Sequence, residues 1–214
     1  MNVLKTDPLA RATCALIVGE GVVGTAWLID NEGHLLTAGH LLGRKAPTRN
    51  VKVRFLDDRP RDVSVVYWNV QEQTGIDCAV LRLDYPFIGS SIRPLPIRLT
   101  QTASGAFRVR GYGTTLGTSS EGGGTFLDRY YPLDTTANAL FRLDSKELGE
   151  GGFSGAPVYS VELSAAVAIQ IEGAEHHVGP GRDTILAMPL DRVAGLWPKL
   201  YEIVSPLYEE TPHY

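Results

Sequence analysis

Short apolar runs recur along most of the chain, and glycine, proline, asparagine and aspartate residues lie between them. Several runs alternate apolar and polar positions, as residues 51–55 (VKVRF) and 107–111 (FRVRG) do. Such alternation is typical of a strand with one buried face. Strands at regular spacing predict an all-β sandwich or a pair of barrels. The runs are TCALIV, GTAWLID, HLLTA, VKVRFL, VSVVYW, DCAVLRL, FRVRGYG, ALFRLD, APVYSV, AVAIQIE and TILAMPL.

Three segments depart from this strand pattern. Residues 191–204 (DRVAGLWPKLYEIV) have apolar positions at helical spacing, and Pro198 predicts a kink or break inside that helix. Residues 94–106 have few strand signals and are predicted to connect two halves of the chain. Residues 117–128 (GTSSEGGGTFLD) are predicted to form a long glycine-rich loop.

Composition excludes several classes of protein. The 214 residues are 43% hydrophobic, which is enough to fill a core, and the net charge of −4 gives no basic surface for nucleic acid. We expect no membrane span, because the sequence contains no run of roughly 20 apolar residues. Residues 1–10 lack the apolar segment of a signal peptide. Cys14 and Cys78 are the only cysteines, which favours a reducing, cytoplasmic location.

Three polar residues in glycine-rich or strand-like surroundings are candidates for chemistry. His40 follows a strand-like run in LLTAGHLL, Asp77 begins DCAVLRL, and Ser154 lies in GGFSGAPV. Each alone has an ordinary explanation as a packed histidine, a turn-forming aspartate or a loop serine. Together they offer a nucleophile, a base that removes its proton, and a carboxylate that orients the base. Their order in the chain is that of one known class of catalytic triad.

The chain resembles the trypsin-like (chymotrypsin-fold) serine peptidases over nearly its whole length. Residues 37–40 (TAGH) are similar to the family's T-A-A-H motif, and residues 77–81 (DCAVL) to its D-[IL]-A-[LV]-L motif. Residues 152–157 (GFSGAP) are similar to G-[DN]-S-G-[GA]-P. Residues 24–40 resemble the first-barrel hairpin of the family, and residues 109–113 (VRGYG) resemble the strand that opens its second barrel.

The resemblance implies an all-β fold of two packed antiparallel β-barrels, with a C-terminal helix against the outside. The first barrel is expected at about residues 10–97, the connector at 98–103, the second barrel at 104–190 and the helix at 191–204. In the family, the active site lies between the two barrels.

The resemblance also implies a serine endopeptidase that hydrolyses peptide bonds in a protein or peptide substrate through an acyl-enzyme. Ser154 would be the nucleophile, His40 the general base and then acid, and Asp77 the residue that orients His40. The backbone N–H groups of Gly152 and Ser154 would form the oxyanion hole. No cofactor or metal is expected.

The residues of the specificity pocket are expected both before and after the serine in the sequence. Its base would be Leu148, six residues before Ser154, and the strand at residues 167–173 would form a wall that pairs with extended peptide. Leu148 favours an uncharged P1 residue, aliphatic or aromatic, because a buried cation would lack a partner there. Glu172 and Asp183 would either attract a basic P1 residue or be solvated surface charges. The expected substrate-binding residues are Leu148, Gly149, Ile171, Glu172 and Gly173.

The residue before the serine departs from the secreted relatives, in which it is usually acidic. Phe153 cannot accept a salt bridge from a new N-terminus, and residues 13–29 already predict the first strands. We therefore expect no N-terminal cleavage, with the Phe153 ring anchoring its loop by burial. Control would then act on residues 150–152, whose glycine peptides can flip, through a regulatory partner or an attached sensor domain.

Two roles remain open for the chain. It could be a regulated effector of an intracellular stress or defence pathway, such as antiviral defence, or a catalytically silent pseudo-peptidase that binds peptides. Other notable residues are expected to be structural. Cys78 is expected to be an inert buried thiol. His176 and His177 point to opposite faces of an extended segment, which disfavours a metal site.

Overall fold

The computed structural model describes eight stretches of the chain, which carry twelve β-strands and a few short helices. The described residues are 6–43, 50–71, 74–85, 91–113, 118–130, 139–145, 153–172 and 184–204.

The strands form two closed antiparallel barrels of six strands each, which confirms the predicted fold class. The first barrel has the order β1-β2-β3-β6-β5-β4 and the second has the order β10-β11-β12-β9-β8-β7. The first comprises β1 (Thr13–Val18), β2 (Gly21–Leu28), β3 (His34–Thr37), β4 (Val51–Arg54), β5 (Pro60–Gln71) and β6 (Ile76–Leu83). The second comprises β7 (Ala106–Tyr112), β8 (Ser119–Tyr130), β9 (Leu140–Asp144), β10 (Pro157–Ser160), β11 (Ala165–Glu172) and β12 (Thr184–Pro189).

The described α-helices precede the first strand and follow the last one in the sequence. Helix α1 (Pro8–Ala12) precedes β1, and its cap Asp7 also forms an ion pair with Arg108 of β7 at 2.9 Å. The C-terminal segment divides into α2 (Leu190–Leu196) and α3 (Lys199–Val204), with the break at the predicted Pro198. None of these helices is long and apolar enough to cross a membrane.

The buried apolar side chains form three clusters. One fills the first barrel, and another fills the second. The third joins the barrels to each other and to the C-terminal helices. Its members include Trp27 and Val80 from the first barrel, Ile169 from the second, and Val193 and Leu200 from the helices. We call this third cluster the shared core.

The glycine-rich segment predicted as a loop is instead largely a strand. Residues 119–130 form β8, in which Gly122, Gly123 and Gly124 pair with Val109, Arg108 and Phe107 of β7. A Cβ at Gly124 would lie 1.9 Å from the carbonyl oxygen of Asp144 in β9. The glycine therefore allows the backbones to approach closely. The prediction was wrong because glycine adds no apolar position to the pattern.

The segment that links the two barrels is bonded to both. The backbone N–H of Leu95 donates to Leu28 O at 3.0 Å in the first barrel. The Arg98 N–H donates to Ala166 O at 2.9 Å, and the Ala166 N–H donates to Pro96 O at 2.8 Å. Residues 95–98 of the linker are thus held against both barrels.

We predict that Gly124→Ala lowers the free energy of unfolding by about 3 kcal/mol, because the new methyl group overlaps backbone that belongs to β9. The matched control is Gly21→Ala in β2, where a Cβ would meet nothing within 4 Å. Urea denaturation of the two variants measures the difference. Equal stability of the two variants would show that close backbone approach is not the reason for Gly124.

Candidate active site

His40 and Asp77 meet at one end of the first barrel. Strands β3 and β6 pair with Thr37 opposite Ala79, so the residues just after β3 lie beside the start of β6. His40 lies in the short 3₁₀ helix Gly39–Leu42 that follows β3, and Asp77 is the second residue of β6. The pairing of the two strands therefore brings the two side chains together.

The Asp77 carboxylate holds His40 at two points. His40 Nδ1 lies 2.5 Å from Asp77 Oδ2, and the backbone N–H of His40 donates to Asp77 Oδ1 at 2.8 Å. A carboxylate can only accept, so the neutral ring carries its proton on Nδ1 and can take up a second proton on Nε2. The His40 side chain is 39% exposed and that of Asp77 only 14%. The imidazole therefore reaches solvent, while its partner is shielded.

Neighbouring residues fix the backbone on which His40 stands. Trp68 Nε1 donates to the carbonyl oxygen of Gly39 at 3.0 Å. Gly39 itself is tightly enclosed, since a Cβ there would lie 2.7 Å from Val70 Cγ2 and 2.9 Å from Cys78 O. Near Asp77, Arg192 of α2 donates to the carbonyl oxygen of Thr74, just before β6, at 3.1 Å. The backbone next to His40 is thus held by Trp68, and the backbone just before Asp77 is held by Arg192.

Cys78 lies next to Asp77 but is not a candidate nucleophile. Burial and, to a smaller extent, the neighbouring Asp77 carboxylate raise the pKa of the Cys78 thiol to about 12. The reactive form of cysteine is the thiolate, which is scarce at neutral pH for such a group. The other cysteine, Cys14, is also buried, and burial raises its pKa well above its ordinary value. Both thiols are free.

Ser154 lies in a tight turn before β10. The Ala156 N–H donates to Phe153 O at 2.9 Å, and the Gly155 N–H donates to Gln170 O at 2.8 Å. Gly155 has φ +82°, and a Cβ there would lie 2.1 Å from Thr25 O. Only glycine fits at this position. The Phe153 ring is buried in the core of the second barrel, as expected, and contacts Gly111.

Thr25 of β2 joins this turn to both barrels. Its backbone N–H donates to Ser154 O at 3.0 Å, and its own carbonyl accepts from Thr37 Oγ1 at 2.7 Å. Its hydroxyl accepts from the N–H of Tyr112, in β7, at 2.8 Å. Thr25 and Thr37 are fully buried. The turn of Ser154 is therefore attached to the strands that lead to His40.

The structure places only some of the predicted site residues. His40 and Asp77 are in contact, and Ser154 lies on a turn bonded to the same barrel. Ile171 is buried within β11, and Glu172 is the last residue of that strand. The other predicted pocket and loop residues lie outside the described part of the chain. They are Leu148, Gly149, residues 150–152, Gly173, His176, His177 and Asp183.

Thr25 and Gln170, which bond to the serine turn, were not predicted as site residues. Their bonds to that turn use backbone atoms on separate segments, so they leave no motif in the local sequence. The available signal was position: Thr25 lies in the segment that resembles the family hairpin, and Gln170 lies in the strand at residues 167–173 that was predicted as a wall of the pocket.

Asp30, Glu32 and His34 form the one group of potential metal ligands among the described residues, with their ligand atoms within 4.8 Å of one another. His34 Nδ1 contacts Asp30 Oδ2 at 2.6 Å, and Lys199 Nζ contacts Glu32 at 2.9 Å. The bond to Lys199 lowers the pKa of Glu32. Because an ammonium group already neutralises Glu32, this group is better suited to attach α3 to the first barrel than to hold a cation.

Comparison with known proteins agrees with this architecture. A family model described as the trypsin-like peptidase domain matches residues 24–169. A search of curated protein sequences gives no significant match.

Many solved structures share the fold. The Rv3671c protease of M. tuberculosis in its active form superposes with a TM-score of 0.68 at 17% identity, covering 91% of this chain and 83% of that one. Its inactive form gives 0.65 at 18% identity, covering 93% and 96%. The HtrA-type protease AlgW with a decapeptide gives 0.70 at 15% identity, covering 94% and 68%. At these identities the likeness concerns the fold.

We predict that Thr25→Val lowers the free energy of unfolding by about 1–3 kcal/mol, because the buried N–H of Tyr112 loses its acceptor. Thr25→Ser keeps the hydroxyl and is the matched control. Chemical denaturation followed by tryptophan fluorescence measures both. If valine and serine at this position have the same effect, the hydroxyl bridge does not stabilise the joint between the barrels.

Proposed function

Because the chain belongs to the trypsin-like peptidase family of serine endopeptidases, we propose that it cuts proteins with His40, Asp77 and Ser154 as its catalytic triad. The two-point contact between Asp77 and His40 carries the proposal. A carboxylate that accepts from both Nδ1 and the backbone N–H sets the tautomer and the ring orientation that a general base requires. The link from Thr25 to Ser154 supports the same assignment, since it ties the serine turn to the barrel that carries His40.

In the proposed reaction, Ser154 Oγ attacks the carbonyl carbon of the scissile peptide, and its proton passes to His40 Nε2. The electron pair of the carbonyl moves to its oxygen, where the N–H groups of Ser154 and Gly152 would stabilise the charge. The C–N bond then breaks as His40 protonates the leaving amine. Water attacks the resulting acyl-enzyme by the same route, which releases the acid and restores Ser154.

The nearby carboxylate stabilises the imidazolium that forms in each step. Asp77 lies 2.5 Å from His40 Nδ1 and is largely shielded from solvent, so its interaction with the charged ring is weakly screened. The proposed chemistry requires no cofactor, because nucleophile, base and oxyanion donors all come from the chain.

The substrate is proposed to be an extended protein or peptide segment. AlgW, one of the structural neighbours, has a bound decapeptide. In this chain Gln170 is bonded to the serine turn, and Ile171 and Glu172 follow it at the end of β11. A substrate strand that pairs beside this end would have its backbone held in an extended form next to Ser154.

The cellular role is proposed to be that of a regulated effector in a reducing compartment such as the cytoplasm, acting in stress or antiviral defence. Two buried, unpaired thiols support the reducing compartment. The replacement of an acidic residue by buried Phe153 supports control by a partner or a sensor domain instead of by N-terminal cleavage.

Ser154→Ala and His40→Ala are each expected to reduce peptide hydrolysis by about a million-fold, because triad residues act as a unit. The folded state should change in stability by less than about 0.5 kcal/mol for Ser154→Ala. The matched control is Ser91→Ala, which removes an exposed hydroxyl in the linker. Hydrolysis of an unfolded protein and labelling by a fluorophosphonate probe measure the effect.

Two outcomes of that experiment oppose the proposal. Ser154→Ala that cleaves at the wild-type rate would show that another group is the nucleophile. A wild-type protein that neither labels nor cleaves, yet binds peptides, would support the alternative role as a catalytically silent peptide-binding module.

The chain that starts at Met1 is expected to be active without cleavage. Leu9 of α1 is fully buried in the shared core, so removal of residues 1–10 should destabilise the fold by about 1.5–3 kcal/mol. It should not create activity. Labelling and denaturation of the intact and shortened chains test this. Activity that appears only after the shortening would contradict the expectation and indicate a removable N-terminal segment.

A further inference from the structure

Gln170 is a buried polar residue beside the serine turn. It is only 2% exposed, and its Oε1 has no hydrogen-bond partner in the described part of the chain. An amide oxygen buried without a donor is unfavourable, because folding removes its hydrogen bonds to water and no protein donor replaces them. Such a group deserves a functional explanation more than an exposed glutamine does.

The backbone of Gln170 is fixed to the two residues that follow the serine. The Gly155 N–H donates to Gln170 O at 2.8 Å, and the Gln170 N–H donates to Ala156 O at 2.9 Å. The α-carbon of Gln170 is therefore held one strand away from Ser154. A bound peptide with its reacting carbonyl at Ser154 would place its P1 side chain in this same region.

The side chain of Gln170 lies on the interior face of the second barrel. Gln170 pairs with Ala187 of β12, and Ala168 precedes it by two positions on the same face. Both alanines, and Ala156, belong to the core cluster of that barrel. Their methyl groups offer no donor to the amide.

We propose that Gln170 is a specificity-determining residue that receives an uncharged amide side chain, glutamine or asparagine, at P1. The proposal rests on the peptidase function above and names its substrate class. The Oε1 of Gln170 accepts from the amide N–H₂ of the P1 residue, and the N–H₂ of Gln170 donates to the P1 amide oxygen. The two amides are complementary in both directions.

Other P1 side chains fit less well. Methionine and leucine leave the Oε1 of Gln170 unpaired, and a carboxylate provides no donor for it. A neutral amide does not offset the charge of a buried lysine or arginine. The preferred P1 residue is therefore uncharged, as the sequence position of Leu148 suggests, but it is polar and not aliphatic or aromatic.

The test compares peptides that differ only at P1, carrying glutamine, methionine, leucine, glutamate or lysine. For the wild type, kcat/KM should be about 10- to 100-fold higher for glutamine than for its isostere methionine. Gln170→Met should reverse that ratio, and fluorophosphonate labelling of the variant shows whether it still has a reactive serine. The matched control is Gln101→Met, in the exposed part of the linker, which should leave the ratio unchanged.

Thermal unfolding provides a readout that does not depend on activity. Because Gln170→Met removes a buried amide oxygen that has no donor, the variant should melt at or above the temperature of the wild type. A clear loss of stability would show that Gln170 is bonded in the folded protein, and would overturn the inference.

The outcomes separate this inference from the proposed function. Normal labelling of the wild type with equal or higher kcat/KM for methionine overturns the role of Gln170 alone. Normal labelling with the same P1 ratio in Gln170→Met does so as well. A wild type that neither labels nor cleaves overturns the peptidase function, and this inference falls with it.

Discussion

The hydrogen bond from the Thr25 N–H to the Ser154 carbonyl is the contact on which the proposed site depends. His40 and Asp77 belong to one barrel and Ser154 to the other, so chemistry between them requires a fixed relation of the two barrels. Thr25 provides it with three bonds, to the serine turn, to Thr37 beside the histidine, and to Tyr112 in β7. The shared core adds apolar packing around the same joint.

Much of the fold follows from local pattern. Every described strand except β8 coincides with an apolar run, because alternation with period two is a direct record of which face is buried. Strand β8 was missed because its glycines serve the close approach of neighbouring backbones, a requirement that comes from β7 and β9. Helix α1 was missed because five residues are too few to show a helical period.

For the candidate site, the three motif residues could be predicted from the sequence, but the contacts around them could not. His40, Asp77 and Ser154 could be named as candidates because their order and flanking residues form motifs. The contacts that hold them could not be named, since Thr25 and Arg192 act on backbone carbonyls far away in sequence. The burial of Gln170 was also invisible, because a glutamine in a strand reads locally as an outward-facing residue. Its position in the barrel is decided by the register of β11 with β12.

The shared core also sets when the site can assemble during synthesis. A growing chain completes His40 and Asp77 first and Ser154 later, while domains form as their segments emerge. The core that packs the barrels together includes Leu190, Val193 and Leu200 of the C-terminal helices, which are among the last described residues to be made. The apolar packing around the two barrels is therefore complete only after these helices have been made and have docked.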